Sequence, residues 1–197
     1  MSTSASSVFR DLLSERISVT SEQAGALEAH YELLLRWNRV VNLTSIRDVR
    51  ETVERHYCEA LFLAARLPEG ALRIADLGSG PGFPGFPIAI MRPDCTVTLI
   101  ESHQRKAVFL REASRKVGNI CVAAERFEAV REKFDLAVSR AVSYSDLGSA
   151  LGKLAPAAAL LTGSEAPPEE IGFVWEDPIL LPWGSQRLLR MGHRSFT

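Results

Sequence analysis

The stretch IADLGSGPGFPGFPIAI, residues 74–90, joins an apolar run to a segment of helical character. Gly78, Gly80 and Gly82 follow the apolar run at alternate positions, and a residue without a Cβ atom can take positive φ and let a ligand lie against the main chain. Pro84 and Pro87 fix φ near the helix entry, where a missing N–H does no harm. The stretch therefore predicts a rigid strand-to-helix turn that is shaped to hold a ligand.

Two nucleotide-binding patterns fit this turn poorly. A phosphate-binding P-loop needs lysine and a hydroxyl residue after its last glycine, but Phe86 and Pro87 follow Gly85, so that pattern is excluded. A dinucleotide fingerprint, GxGxxG, is formally present at residues 80–85. It lies too far from the strand, since loop residues from Gly78 onwards already separate the two, and its prolines lack N–H groups that a pyrophosphate would use. A packing turn without a ligand is a further alternative.

Acidic residues at two neighbouring strand ends favour S-adenosylmethionine as the ligand. Asp76 lies just before the glycines, and Glu101 closes the next apolar run, TVTLIE. A carboxylate in the second place can accept hydrogen bonds from both ribose hydroxyls. Because both acidic positions are filled, the turn is interpreted as a seat for this cofactor.

Apolar runs alternate with helical segments from Leu72 onwards. Runs that are apolar on both faces and separated by helices predict a parallel sheet covered on both sides. Residues 8–67 have helical period instead, with helices that open at Thr20 and Asp48. The sequence thus predicts one domain, residues 1–197, with an N-terminal helical extension (1–67) and an α/β core (68–197). The predicted strands are residues 72–77, 96–101, 119–124, 134–139, 157–162, 173–176 and 187–191.

Length and composition narrow the class of protein. At 197 residues with 46% hydrophobic content the chain can bury one core, and a net charge of −1 creates no overall field toward nucleic acid or membrane. Cys58, Cys95 and Cys121 are odd in number and lack CxxC spacing, which argues against disulfides and a zinc site, so no metal is predicted. Neither a signal peptide nor a transmembrane run is recognisable. A soluble, cytoplasmic protein is expected.

Several segments together resemble one family, the bacterial small-subunit ribosomal RNA guanine-N7 methyltransferase G, also called glucose-inhibited division protein B. RWNRVVNLTSI (36–46) is similar to its N-terminal signature, and DLGSGPGFPGFPIAI (76–90) to its cofactor loop. The Ala124-Glu125 pair and Ser139-Arg140-Ala141 are similar to its later cofactor-contacting segments. The match runs from about Leu33 to Val142.

The resemblance implies a Rossmann-like class I methyltransferase with a mostly parallel, seven-stranded sheet. It also implies S-adenosyl-L-methionine as cofactor and 16S ribosomal RNA or the small ribosomal subunit as partner, with Arg140 where cofactor meets RNA. No membrane or obligate protein partner is expected. The turn and the resemblance together predict these cofactor-binding residues: Asp76, Gly78, Gly80, Phe83, Glu101, Ala124, Glu125 and Arg140. The chain departs from the family pattern at His56-Tyr57-Cys58-Glu59-Ala60, where His-x-x-Asp-Ser is usual, and at Thr162-Gly163, where Lys-Gly is usual.

The sequence also restricts which atom of the substrate can accept the methyl group. Enzymes that methylate exocyclic amines carry Asn/Asp-Pro-Pro-aromatic after the fourth strand, where this chain has Ser139-Arg140-Ala141-Val142. Methylation of a pyrimidine carbon needs an activated cysteine, but Cys121 is expected in a buried strand and Cys58 on a helix. Guanine N7 bears no proton at neutral pH, so catalysis there needs no general base and rests on positioning, with Arg140 as the catalytic candidate. The target guanine is expected to be unpaired.

Three segments with excess positive charge, residues 36–55, 105–116 and 185–197, are either solvated surfaces or an RNA-contacting rim. Tyr31 and Trp37 are expected in the core, with base stacking as the alternative, and His56 is expected to be a structural or surface residue, with a role on the RNA side as the alternative. Two other functions remain open. One is a nicotinamide-dependent oxidoreductase that uses GxGxxG, and the other is an RNA-binding module of the same fold without catalytic activity.

Overall fold

The computed structural model describes residues 5–184 and 186–195. Its N-terminal layer begins with α1 (Ala5–Ser14) and α2 (Ser21–Trp37). The Thr20 hydroxyl accepts from the Gln23 amide at 3.2 Å, and the Gln23 side chain accepts from the Thr20 amide at 2.9 Å. This reciprocal pair, a capping box, satisfies two otherwise free donors at the helix start and confirms the predicted helix opening at Thr20.

A third helix in this layer changes its winding along its length. It opens at Asp48, whose side chain accepts from the Glu51 amide at 2.8 Å, as predicted. The segment α3 (Val49–Thr52) continues as a π-helix (Val53–Cys58) and then as α4 (Glu59–Ala64). A π-helix fits one more residue into each hydrogen-bonded turn than an α-helix does, and such turns are frequent at functional sites.

The sheet contains the predicted parallel core. The strands are β1 (Arg73–Leu77), β2 (Thr96–Ile100), β3 (Ile120–Ala123), β4 (Leu136–Arg140), β5 (Ala157–Thr162), β6 (Phe173–Trp175), β7 (Ile179–Leu180) and β8 (Leu188–Arg194). Five parallel strands lie in the order β3-β2-β1-β4-β5, and the antiparallel β8 and then β6 follow β5. The five parallel strands are confirmed to within two residues at each end, whereas β8 runs three residues further than predicted.

The described residues form eight strands instead of the seven that the resemblance implies. Seven of them follow the main order, and the additional β7 pairs only with β8. Pro178 and Pro182 flank this two-residue strand. Because proline has no N–H to donate to a ladder, the flanking residues limit β7 to a short pairing at the side of the main sheet.

Helices cover both faces of the sheet. They are α5 (Gly85–Met91), α6 (Gln104–Ala113) and α7 (Tyr144–Leu154), with short 3₁₀ turns at Ser114–Lys116, Phe127–Ala129 and Glu169–Ile171. Alternate residues of β1 enter two separate apolar clusters: Ile74 packs with the N-terminal helices, whereas Ala75 and Leu77 pack toward α7. This confirms the prediction of a sheet buried on both sides.

Individual burial predictions had different outcomes. Tyr31 is buried, as expected, and Trp37 packs partly buried against the same cluster. The expectation that Cys121 is buried was wrong, because β3 is the edge strand and the Cys121 side chain is exposed.

In the described part of the chain, no helix combines the length and apolarity needed to cross a bilayer.

We predict that Gly85→Ala lowers the free energy of unfolding by about 1–3 kcal/mol, the usual cost of overpacking a core. A Cβ atom at Gly85 would lie 2.4 Å from Leu99 Cδ2 and 2.6 Å from Asp76 Oδ2. Urea unfolding of both proteins measures the effect. The matched control is Gly118→Ala, where an added Cβ meets no atom within 4 Å. Equal losses in the two variants would contradict this account of the packing.

Candidate active site

The glycine loop is held at the carboxyl ends of β1 and β2 by its own backbone. The amides of Gly78 and Ser79 both donate to the Ile100 carbonyl at 3.0 Å. The Gly80 amide donates to Glu101 Oε2 at 2.9 Å, and the His103 amide donates to the other Glu101 oxygen at 2.7 Å. Glu101 therefore orders both the loop and the start of α6, and each of its oxygens keeps a lone pair that can accept a further bond.

Asp76 of β1 holds the glycine loop from the interior of the protein. Its side chain is fully buried, and Oδ2 accepts from the Gly85 amide at 2.9 Å. Oδ1 is buried and has no hydrogen-bond partner among the residues that the structure describes. Burial raises the pKa of the Asp76 carboxyl to about 7, although the Gly85 hydrogen bond acts in the opposite direction. Asp76 thus joins the loop to the first turn of α5 at the cost of a buried, incompletely paired carboxyl group.

The N-terminal layer supports the loop through His30 of α2. His30 Nε2 lies 3.0 Å from the Pro81 carbonyl, and Nδ1 lies 2.7 Å from the Tyr57 hydroxyl. Since a carbonyl can only accept, Nε2 carries the proton and Nδ1 accepts from Tyr57. Burial lowers the pKa of His30 to about 4, which keeps the ring neutral. The ring also stacks on Phe86 at 4.3 Å, so α2 and the loop form one packed unit.

Residues 36–46, the segment similar to the family signature, form a turn beside the loop. The buried Asn38 accepts from the amides of Leu43 and Thr44 at 2.9 and 3.1 Å, and it donates to the Thr44 carbonyl at 3.0 Å. A side chain that bonds three backbone groups fixes the turn that follows it. Leu43, Thr44, Ser45 and Ile46 line a cavity beside the glycine loop as a result.

Arg140, at the end of β4, is held by the π-helix. It donates to His56 Nδ1, and His56 Nε2 lies 2.9 Å from Thr44 Oγ1. An arginine can only donate, so Nδ1 is unprotonated and Nε2 donates to Thr44. Burial, and then the charge of Arg140, lowers the pKa of His56 to about 2. The ring stacks on Phe83 with centroids 4.6 Å apart, which joins the π-helix to the glycine loop.

Two cavities adjoin at this edge of the sheet. The first, of about 390 Å³, lies between the glycine loop, residues 43–46, His56 and Arg140. The second, of about 310 Å³, lies between the ends of β4 and β5 and includes Thr162 and Arg187. Ala141 and Val142 line both cavities. The carboxyl ends of parallel strands and their following loops are where ligands bind in open α/β sheets.

Backbone conformation shapes the wall between the cavities. Ala141 has φ of 59°, which is uncommon for a residue with a side chain, and residues held in such conformations are enriched at active sites. Gly78 has φ of 70°, and a Cβ atom there would lie 2.8 Å from Val142 Cγ2. The loop and Val142 therefore approach each other so closely that only glycine fits at this position.

The predicted site residues divide into two groups. Gly78, Gly80, Phe83 and Arg140 line the first cavity together. Four others lie beside or below it: Glu101 bonds to Gly80, Asp76 is buried beneath the loop, Ala124 is partly buried and Glu125 is exposed. Direct contact of these four with a cofactor stays a prediction.

Sequence reasoning missed several residues of the site. His30, Tyr57 and Thr44 were given no role, and His56 was expected to be a structural or surface residue, although it bonds Arg140 and lines the cavity. A signal for His30 was present, because it falls three residues after Leu27 on the buried face of α2. Hydrogen-bond partners at sequence separations of 51 and 84 residues leave no local pattern.

The three basic segments lie in different surroundings. Arg39 and Arg47 are exposed near the turn of residues 36–46, and Arg105 and Lys106 lie in the first turn of α6, at the carboxyl edge of the sheet. These positions are compatible with an RNA-contacting rim.

In residues 185–197, the arginines that the structure describes do not favour the alternative of an RNA-contacting rim. Arg187 forms an ion pair with the buried Glu59, and Arg190 is itself buried. Arg194 lies at the opposite edge of the sheet, since β8 runs antiparallel to β5. Ser185, Phe196 and Thr197 of this segment are outside the described residues.

Comparison with known proteins assigns the family. A family model described as rRNA small subunit methyltransferase G matches residues 23–154, about two thirds of the chain. The chain belongs to this family. The matched part of the chain includes α2, the π-helix, the glycine loop and Arg140, but not Arg187.

Curated relatives carry the same description. Ribosomal RNA small subunit methyltransferase G from Xanthomonas axonopodis pv. citri (strain 306) is 48% identical over 117 residues, which are 58% of this chain and 54% of the relative. The protein of that name from Xylella fastidiosa (strain M23) is 51% identical over 108 residues, 54% of this chain and 50% of the relative. The chain thus spans about half the length of the curated relatives it matches.

Solved structures show the same fold at low sequence identity. A ribosomal protein L11 methylase from Lactobacillus delbrueckii subsp. bulgaricus superposes with a TM-score of 0.58 at 14% identity, covering 77% of this chain and 81% of that one. A SAM-dependent methyltransferase from Aquifex aeolicus gives a TM-score of 0.57 at 16% identity, covering 74% and 93%. These likenesses confirm the Rossmann-like, class I methyltransferase fold.

We predict that Asp76→Asn changes how stability depends on pH. The pKa of this carboxyl is about 3.9 in the unfolded chain and about 7 in the folded protein. Its contribution to stability is therefore complete below about pH 3.9 and is lost as the pH rises through about 7. Between pH 4 and 8 the wild-type protein should lose up to about 4 kcal/mol of unfolding free energy relative to the variant.

Chemical denaturation at a series of pH values measures this difference. His30 and His56, whose pKa values are lowered in the folded state, act with the opposite sign but are present in both proteins, so the difference isolates Asp76. Parallel stability curves for the two proteins would contradict the assignment.

Proposed function

We propose that this chain forms an S-adenosylmethionine-dependent methyltransferase that acts on N7 of a guanine in 16S ribosomal RNA. The observation that carries the proposal is that the glycine loop at the end of β1 and Arg140 at the end of β4 line the same cavity, the first of the two. Membership of the rRNA small subunit methyltransferase G family supports the same activity. A cytoplasmic location accords with an RNA substrate in the small ribosomal subunit.

The residues fit this cofactor. Gly78 lets the loop backbone pack closely against Val142, where a Cβ atom would lie 2.8 Å from Val142 Cγ2, and the buried Glu101 places a carboxylate beside the Gly80 amide. We infer that Gly78, Gly80 and Phe83 hold the methionine part, that Glu101 accepts from the ribose hydroxyls, and that Ala124 and Glu125 border the adenine. When bound, S-adenosylmethionine supplies an electrophilic methyl group on a sulfonium.

The chain's own residues then act mainly by position. Guanine N7 attacks through a lone pair that carries no proton, so no side chain has to remove one. His56 is neutral and its unprotonated Nδ1 is occupied by Arg140, which makes it a support for the arginine instead of a base. Alignment of the reactants can contribute about 7–11 kcal/mol to the rate, and a fixed Arg140 beside a rigid loop serves that purpose.

The structure gives a physical reason to disfavour the nicotinamide alternative. A pyrophosphate would need free amides at the start of α5. Here the Gly85 amide donates to Asp76, the Phe86 amide donates to the Gly82 carbonyl, and the Phe83 amide donates to the Ser79 carbonyl. With these donors already engaged, the formal GxGxxG has few groups left for a dinucleotide.

We predict that purified protein transfers a methyl group from S-adenosylmethionine to 16S RNA or to 30S particles taken from cells that lack the gene. Mass spectrometry of the RNA should show one additional 7-methylguanosine, and RNA from wild-type cells should accept no further methyl group at that site. Cofactor binding without transfer to either substrate would favour the RNA-binding module instead. Binding of NADH but not of S-adenosylmethionine would favour the oxidoreductase.

We further predict that Gly78→Val weakens S-adenosylmethionine binding. An overpacking cost of about 1–3 kcal/mol corresponds to a loss of about 10- to 100-fold in affinity. Isothermal titration calorimetry measures it. The matched control is Gly172→Val, which places the same side chain at a similar φ of 72° but with no atom within 4 Å. Near-normal affinity in Gly78→Val would show that the loop does not hold the cofactor.

A further inference from the structure

Glu59 is a fully buried carboxylate that lies between two arginines from distant parts of the chain. Its two oxygens accept from Arg187, from Nε at 3.2 Å and from Nη2 at 2.9 Å. The oxygen bonded to Nη2 also lies 3.6 Å from Nε of Arg140. A buried carboxylate is costly unless it is paired, so this arrangement strongly constrains where both guanidinium groups lie.

Arg140 is held from two sides. His56 accepts from Nη1 on one side, and Glu59 lies against Nε on the other. Nε is buried and makes no hydrogen bond among the described residues, so the Glu59 carboxylate stabilises it by charge and proximity. Without that carboxylate, one edge of the Arg140 guanidinium would be buried next to other cations.

The two arginines line different cavities. Arg140 lines the first, with the glycine loop, and Arg187 lines the second, between β4 and β5. Glu59 itself lines neither of them, so it supports both cavities from within the core. One carboxylate thereby fixes one cation in each of two cavities that share Ala141 and Val142 as a wall.

We propose that Glu59 is a positioning residue that sets the orientation of Arg140 through the shared ion pair with Arg187, and so keeps the first cavity aligned with the second. This inference rests on the proposed methyltransferase function. It assigns a role in the reaction to Arg187, which lies outside the part of the chain that the family model matches.

The charges around Arg140 give this role a measurable signature. Burial lowers the pKa of Arg140 to about 10, the charge of Glu59 raises it, and Arg187 and Arg55 lower it further. In the described structure, the charged or titratable groups around it are His56 and Arg55 of the π-helix, Glu59 of α4 and Arg187 before β8. Removing Glu59 or removing Arg187 must therefore shift the pKa of Arg140 in opposite directions.

The experiment measures initial rates of methyl transfer to 16S RNA between pH 7 and 10 for the full chain. Glu59→Gln should lower kcat by about 100-fold, the loss typical of a misplaced group, and should move the alkaline limb to lower pH. Arg187→Gln should move that limb to higher pH, because the Glu59 carboxylate then interacts with Arg140 alone and the nearby positive charge of Arg187 is gone. Ionisation of the RNA is common to all variants, so only the differences between them are interpreted.

Glu132→Gln is the matched control. Glu132 forms an ion pair with Arg73, which opens β1 at the opposite edge of the sheet, and both side chains are largely exposed. Its rates and alkaline limb should equal those of the wild-type protein. Thermal melting of each variant shows whether a loss of activity merely reflects unfolding.

The possible outcomes separate this inference from the function on which it rests. Absence of transfer by the wild-type protein would overturn the proposed function. An active wild-type protein together with an unchanged kcat in a folded Glu59→Gln variant would overturn the role of Glu59 alone. If Glu59→Gln does not fold, Arg187→Gln decides, since an upward shift supports the role of Glu59 and an unchanged limb refutes it.

Discussion

The site depends on hydrogen bonds between the glycine-loop backbone and partners that other elements supply. Ile100 at the end of β2 accepts two loop amides, Glu101 accepts a third, and the loop's own Pro81 carbonyl accepts from His30. Glycines cost conformational entropy on folding, and two prolines and several fixed amides offset part of that loss in this loop. The fold therefore orders this backbone before a ligand binds, which lowers the entropy cost of binding.

The N-terminal helices are part of the site and not an appendage to it. The face that α2 and the π-helix bury carries Tyr31 and Tyr57, but the same face carries two neutral histidines that reach the loop and Arg140. Burial keeps both rings uncharged, and their partners determine which nitrogen bears the proton. Packing of these helices therefore determines the geometry of the groups that would act on a substrate.

Much of the α/β core could be predicted from the sequence, because local signals specify it. Apolar runs, the capping box at Thr20 and the glycine loop each lie within a few residues, and so do the acids at the strand ends. The π-helix, the burial of Glu59 and the pairing of Arg187 could not be predicted in this way, since each depends on contacts between elements far apart in the sequence. Cys121 was misjudged because an apolar run shows a strand but not whether that strand lies at an edge.

The π-helix, Val53–Cys58, makes the length of this segment as critical as its composition. Each residue in an α-helix advances the chain by about 100° around the axis. A deletion of one residue would let the segment wind as an ordinary α-helix, but α3 packs on α1 while α4 packs on α5, so the two halves cannot rotate freely to compensate. Loss of a single residue would thus change how His56 and Glu59 are directed toward Arg140, and insertions or deletions here should be tolerated far less than substitutions on the exposed face.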